Sequence, residues 1–430
     1  MNLTSLYNTF LNHLVICTDT RKIIPGCIFF ALKGNNFNGN EFALNALNSG
    51  AALAVVDEKI NNANTDKIFF TDDVLTTLQQ LANYHRKQLK IPVIALTGSN
   101  GKTTTKELIH SVLKEKYNVL ATTGNLNNHI GVPLSLLSLK KEHEVAVIEM
   151  GANHQKEIEL LCSIAEPDEG LITNIGKAHL EGFGGEGGVL KGKGELYDFL
   201  RMNNGKIYIN TDQPKLKTIL KGYNKTVGYG KDDEARYQGN VVEGDEWLIL
   251  NITHPFSLQI KTQLAGDYNF DNVLAAVAVG SEWKIVPEKI KQGIEKFIPS
   301  NQRSQIIKKN NITIVLDAYN ANPTSMEAAL KNFARTFKGK KIAALGDMLE
   351  LGNESEHEHF IIGQRLQELK LDDIILVGEN FKPVAVKFNL KHFNSADEAA
   401  QWFSSKKNDT FNLLVKGSRG IQMEKIVNEL

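Results

Sequence analysis

Sulfhydryl chemistry is nearly absent from the chain, with only Cys17, Cys27 and Cys162 in 430 residues. They form no C-x-x-C pair and no disulfide framework, which fits a reducing compartment. Net charge is absent too, because 49 basic residues balance 49 acidic ones. No overall field therefore draws the protein to nucleic acid or to an anionic membrane. No stretch approaches the roughly 18 consecutive apolar residues that a membrane span requires. The first residues do not read as a secretory leader: Leu3, Leu6, Tyr7, Phe10, Leu11 and Leu14 follow helical spacing, and Asn2, Asn8, Asn12 and His13 break any apolar run. A soluble cytoplasmic protein is expected, with no nucleic-acid or membrane partner.

What is present is an alternation of apolar β-rich runs with helical patterns, which predicts an α/β fold with mainly parallel sheets. Three blocks are expected. The first, 1–88, holds strand candidates Cys27–Leu32 and Ala52–Val56 and closes with a helical stretch, Leu75–Leu89. The second, 89–301, opens on the strand Val93–Leu96, enters a helix from Thr104 to Lys116, and has strands at Val145–Glu149, Gly170–Thr173 and Lys206–Asn210. A glycine-rich loop region is expected over Gly176–Gly194, an antiparallel piece over Val241–Leu264 and a buried helix over Asn272–Val279. After a polar connection, Pro299–Asn311, the third block, 302–430, repeats strand and helix in a small doubly wound pattern. Its strands are expected at Ile314–Leu316, Lys341–Leu345, Ile374–Val377 and Leu413–Val415.

The most specific chemistry lies between the strand at Val93 and the helix that follows it. There the chain reads Thr97-Gly98-Ser99-Asn100-Gly101-Lys102-Thr103-Thr104. Gly98 and Gly101 allow a tight turn whose N–H groups face phosphate oxygens. The helix N-terminus adds about half a positive charge. Lys102 can reach the β- and γ-phosphates, and the Thr103 hydroxyl can ligate magnesium. The usual first glycine of such loops is replaced by Leu96, and the glycine sits at Gly98 instead. Glu149, at the carboxyl end of its strand, is a candidate magnesium ligand or else a solvated acid ending a strand.

Two tempting patterns carry less. Gly182–Gly187 spells G-x-G-x-x-G but follows no strand, so it is no dinucleotide fingerprint. His357 and His359 lie in an acidic stretch without H-E-x-x-H spacing and read as a solvated helix face. The cysteines, with no base nearby, read as core.

The segment TGSNGKTTTK resembles the phosphate loop of the Mur ligases of peptidoglycan synthesis and of their relative folylpolyglutamate synthase. DTRKIIPGCIFFALKG at 19–34, GNLNNHIGVP at 124–133, EMGANHQKEI at 149–158 and NIGKAHLEGFG at 174–184 extend the resemblance. So do KGKGELY at 191–197, LDAYNANPTSM at 316–326, GDMLELG at 346–352 and VKGSRG at 415–420. Together these segments resemble the branch of the family that adds D-alanyl-D-alanine to UDP-N-acetylmuramoyl-tripeptide. The D-N-P-R motif of the ligases that add the third residue is missing. A long segment precedes the phosphate loop, whereas folylpolyglutamate synthase begins almost at its own.

The resemblance implies three domains: an N-terminal UDP-sugar domain, a central ATPase and a Rossmann-like C-terminal domain for the incoming amine. It implies ATP and two magnesium ions as cofactors, the UDP-tripeptide and the dipeptide as substrates, and a monomer. Lys102, Thr103, Thr104, Gly98, Asn100 and Gly101 would hold the triphosphate, with Thr103, Glu149 and His179 near the metals. His179 is otherwise an ordinary loop histidine. Lys193 matches a lysine that carbon dioxide carbamylates. Lys191 lies two residues away, although spacing to Asn210-Thr211-Asp212 favours Lys193. Asn269 and Asn272 match a nucleotide-binding N-x-x-N, preceded here by Tyr268 where the family has His. Asn269 could equally cap the following helix. Arg303 and Asp317 match residues that approach ATP from the domain junction, with Asn320 and Asn322 beside them. Surface ion pairing is the plainer reading of Arg303. Thr20, Arg21, Asn125, Asn127 and Asn128 are the candidates for the UDP-sugar, although asparagines also populate plain turns. Two other functions stay open: a ligase adding glutamate or the third peptide residue, and an ATP-driven switch without an acceptor.

Overall fold

The computed structural model describes residues 2–60, 65–300 and 302–430. Residue 301, the last of the expected second block, lies outside the described residues, as does Met1. Contacts group the chain into two compact units. The first comprises Met1–Ala95, Tyr117–Gly151 and Lys156–Glu169; the second comprises Leu96–Lys116, Ala152–Gln155 and Gly170–Leu430. The expected second and third blocks both contribute to the second unit.

In the first unit, helix Leu3–His13 starts at Asn2, whose side chain accepts the Ser5 N–H, and buries Leu6, Tyr7 and Phe10. Four short strands, Ile16–Cys17, Ile28–Phe30, Leu53–Val56 and Ile68–Phe70, form a parallel sheet in that order. Cys17, Cys27, Phe29, Ala54 and Val56 make its core. Helix Val74–Leu89 is capped by Asp73 and buries Val74, Leu78, Leu81 and His85 on one face. This unit also holds the parallel pair Val119–Ala121 and Val145–Glu149 and the helices Gly131–Leu137 and Glu157–Ala165.

In the second unit, the end of strand Val93–Thr97 turns at Gly98 into helix Lys102–Leu113. Its sheet continues through Glu169–Ile172, Lys206–Asn210, Thr226–Gly230, Tyr237–Val242, Trp247–His254 and Leu258–Ala265. The last three strands pair antiparallel, as the alternation over Val241–Leu264 predicts. Helix Phe270–Glu282 is buried from Asn272 to Gly280. A second sheet has the order Gln305–Lys309, Ile312–Asp317, Phe411–Lys416, Lys341–Gly346, Asp373–Val377, Lys391–Phe393. Its first pair is antiparallel and the rest are parallel, the small doubly wound pattern.

Three expectations are corrected. The polar connection Pro299–Asn311 carries the strand Gln305–Lys309, paired antiparallel with Ile312–Asp317. The region Gly176–Gly194 is largely helical, with Leu180–Phe183 followed by Glu186–Met202. Several of its glycines serve close packing: a Cβ at Gly188 would collide with the Phe183 carbonyl, and one at Gly192 with the Phe183 ring. The helix Ser355–Glu368 is not solvated along its acidic start. His357 is exposed, but Glu358 and His359 are buried.

Candidate active site

The phosphate loop is held open by its neighbours in the second unit. Gly98 (φ 145°) and Gly101 (φ 78°) adopt backbone that side chains avoid. A Cβ at Gly98 would collide with Thr173 Oγ1, and one at Gly101 would lie 2.5 Å from Asn272 Oδ1. The stretch after strand Glu169–Ile172 clamps the loop. Thr173 Oγ1 donates to the Asn100 carbonyl at 2.6 Å, Asn174 Oδ1 accepts the Asn100 N–H at 3.0 Å, and Ser99 Oγ accepts the Gly176 N–H at 2.9 Å. Lys102 Nζ donates to the Gly98 carbonyl at 2.7 Å, folded over its own loop. Thr103 and Thr104 are buried in the first turn of the helix. Thr105, which sequence reasoning passed over, donates to Asn272 Oδ1 at 3.0 Å.

Asn269 does not cap its helix with its side chain. Its Nδ2 donates to the Ala265 carbonyl and its Oδ1 accepts from Asn272 Nδ2 at 2.9 Å, so the two asparagines are coupled. Tyr268 Oη sits 3.2 Å from Ser304 Oγ, and the Ser304 N–H donates to Asp317 Oδ1.

His179 (φ 53°) begins the helix Leu180–Phe183. Its Nδ1 lies 2.7 Å from Glu350 Oε2. This contact with His179, against the opposing effect of burial and with help from the charge of Lys102, holds the Glu350 carboxyl below its ordinary range. Lys193 is wholly buried on helix Glu186–Met202, with Nζ donating to the Ala152 carbonyl at 2.9 Å and lying 4.9 Å from the centre of the Phe183 ring. Lys191 is exposed. The plain surface-lysine reading therefore fits Lys191 and fails for Lys193.

Arg303 makes no surface ion pair among the described residues. Its guanidinium stacks 3.7 Å from the centre of the Tyr319 ring, and Arg419 approaches the same ring at 5.6 Å. Asp317 pairs with the buried Lys416 at 2.5 Å. Asn320 is exposed, and its Oδ1 accepts the Ala321 N–H. Asn322 reaches the phosphate loop, with Nδ2 donating to Asn100 Oδ1 at 2.7 Å. Glu350 and Lys416 are site residues that sequence reasoning did not single out, although each lay inside a segment read as distinctive, GDMLELG and VKGSRG.

In the first unit, Glu149 is buried, which removes the reading of a solvated acid. Its Oε1 accepts from Asn127 Nδ2 at 2.8 Å, and its N–H donates to Thr122 Oγ1 at 3.0 Å. Asn128 acts as a plain turn residue: its Oδ1 accepts the Ile130 and Gly131 N–H groups. Asn125 is exposed. Thr20 opens a short helical turn, in which Arg21 makes a paired contact with Asp19 at 2.9 Å on both arms. That hydrogen bonding lowers the Asp19 carboxyl to about 2.

Among the described residues, no three His, Cys, Asp or Glu side chains converge as a ready-made metal cage. Among the described residues, no helix is long and apolar enough to cross a membrane.

Residues 14–97 match the family described as Mur ligase family, catalytic domain. Residues 96–280 match the Mur ligase middle domain, and 302–419 match the Mur ligase, glutamate ligase domain. A Bacillus subtilis protein named UDP-N-acetylmuramoyl-tripeptide–D-alanyl-D-alanine ligase is 36% identical over 96% of this chain and 92% of its own. The chain belongs to the Mur ligase family. An Escherichia coli Mur ligase of the same name is also 36% identical, over 96% of this chain and 93% of its own. Among solved structures, MurF from Acinetobacter baumannii superposes with a TM-score of 0.89 at 34% identity, covering 96% of this chain and 92% of that one. MurF from Thermotoga maritima in complex with ADP gives 0.86 at 27% identity, covering 96% of each chain. The three-domain α/β architecture is that of the family.

Proposed function

We propose that the chain is an ATP-dependent amide-bond ligase that joins D-alanyl-D-alanine to UDP-N-acetylmuramoyl-tripeptide, giving the pentapeptide, ADP and phosphate, as a cytoplasmic monomer. The observation that carries this reading is the full-length match to relatives of that name, together with a phosphate loop whose glycines have no room for a side chain. The domain limits we assign are 1–88, 89–301 and 302–430.

A peptide carboxylate is a poor acyl donor, so the terminal carboxylate is activated as an acyl phosphate, which the dipeptide amine then attacks with loss of phosphate. ATP would supply the phosphoryl group, and magnesium, when bound with it, would supply neutralisation of its charge. The chain's part is positioning and electrostatics. The N–H groups of Gly98–Thr104 and the helix start receive phosphate oxygens, and Lys102 moves from the Gly98 carbonyl onto them. Thr103 and His179 are assigned to metal, and Glu149 of the first unit has the same assignment from the resemblance. A carbamate on Lys193 would turn a buried cation into an anion able to orient groups beside the metals. Asn269 and Asn272 take the nucleotide, Arg303 its phosphates and Asp317 its ribose, with Asn320 beside them. Thr20, Arg21, Asn125, Asn127 and Asn128 are assigned to the UDP-sugar. Arg21 must then exchange its Asp19 partner, and Asn128 contributes only what its cap leaves.

The acceptor is tested by supplying D-alanyl-D-alanine, glutamate, lysine and diaminopimelate side by side with ATP and the UDP-tripeptide. The dipeptide alone is expected to give product. Product with glutamate or a single diamino acid would move the reading to another branch of the family.

A further inference from the structure

The loop Gly346–Gly352 belongs to the expected third block, yet it brings an acid to the histidine assigned to metal. Glu350 Oε2 and His179 Nδ1 are 2.7 Å apart. Both residues hold left-handed backbone, at φ 63° and φ 53°. That conformation costs a non-glycine residue about 1 kcal/mol or more, and it persists where the surroundings fix it, often at functional sites. The surroundings here do fix it. The Lys177 N–H donates to Thr324 Oγ1 at 3.1 Å, and Lys177 Nζ meets the buried Glu358 carboxylate at 2.5 Å. Gly352 lies against Glu181, where a Cβ would come within 3.1 Å of the glutamate's own Cβ. The segment carrying His179 is therefore pinned on both sides to the block that carries Glu350.

We propose that Glu350 is a positioning residue for the ligation reaction: its carboxylate holds the Nδ1 edge of His179 and leaves Nε2 for the nucleotide and its metal. This rests on the nucleotide reading above. An imidazole that ligates metal is normally oriented by a carboxylate or carbonyl at its other nitrogen, which fixes tautomer and ring direction. Because Glu350 comes from the third block, His179 is oriented only when that block is seated against the segment Gly176–Phe183. Acceptor-side structure thus acts on the phosphate side through one side-chain pair.

The test compares wild type with Glu350→Gln, which keeps shape and loses charge, and with Glu350→Ala. ADP binding is titrated by calorimetry over a range of magnesium concentrations, with no acceptor and no turnover, and kcat and both KM values are measured alongside. The magnesium needed to tighten ADP binding is expected to rise about ten- to a hundredfold in both variants, with a comparable fall in kcat. The KM for D-alanyl-D-alanine is expected to stay within about twofold. A magnesium dependence like wild type in both variants overturns the inference, even if melting temperature falls, because a merely structural acid would behave that way. Absence of magnesium-dependent ADP binding in the wild type would instead overturn the nucleotide reading, and the inference with it.

Discussion

Asn322 Nδ2 donates to Asn100 Oδ1 over 2.7 Å, joining the head of helix Pro323–Thr336 to the phosphate loop. The same residue caps its own helix, where its Oδ1 accepts the Ser325 N–H. These two jobs separate in one substitution. Asn322→Asp keeps a good cap, since Asp and Asn cap about equally well, but puts a carboxylate where an amide donor stood. A lost donor of this kind is worth about 1–3 kcal/mol. Steady-state kinetics should therefore show kcat/KM for ATP falling about five- to a hundredfold, with little change in melting temperature. Unchanged kinetics would show that the link to the phosphate loop is idle.

Lys193 and Lys191 lie on one helix, one buried and one exposed. Lys193→Ala is expected to lower kcat by at least about a hundredfold, the scale of losing one electrostatic group at a reacting centre. Added bicarbonate should not restore it. Lys191→Ala should leave folding within about 0.5 kcal/mol of wild type, as exposed positions usually do. Full turnover in Lys193→Ala would remove the carbamate assignment.

His359 sits beneath the loop that carries Glu350. Its Nδ1 is 2.7 Å from the Ser355 carbonyl and its Nε2 accepts the Met348 N–H at 3.0 Å, a set that only the neutral ring satisfies. Burial pushes its pKa below the ordinary 6.5, outweighing the attraction of Asp347. The unfolded chain therefore takes up this proton before the folded one does. Stability from this site is full above about pH 6.5 and falls as the pH drops below it, by up to about 1.4 kcal/mol per unit. Denaturant unfolding of wild type and His359→Gln at about pH 7.5 and 5.5 checks this. The wild-type advantage should shrink in acid, and parallel curves would contradict it.

Local chemistry was legible in the sequence where a residue's job depends on its neighbours in the chain. The phosphate loop came from its glycine, lysine and threonine motif between strand and helix, and the antiparallel run Val241–Leu264 and the buried helix at Asn272 came from apolar pattern. The helix carrying Lys193 was hidden by glycines that look like loop residues but are selected by packing against Phe183. His359 looked solvated because its neighbours are acidic, yet its position on the helix turns it inward. The ties Asn322–Asn100 and Glu350–His179 join segments far apart in the chain. No periodicity encodes them, and only the fold brings them together.

The most direct measurement of the central claim is phosphate release from ATP with UDP-N-acetylmuramoyl-tripeptide present and D-alanyl-D-alanine added or withheld. The ligase account predicts release that requires both substrates and matches pentapeptide formed one for one. Release at the same rate without the dipeptide would contradict it and leave an ATPase whose acceptor, if any, is something else.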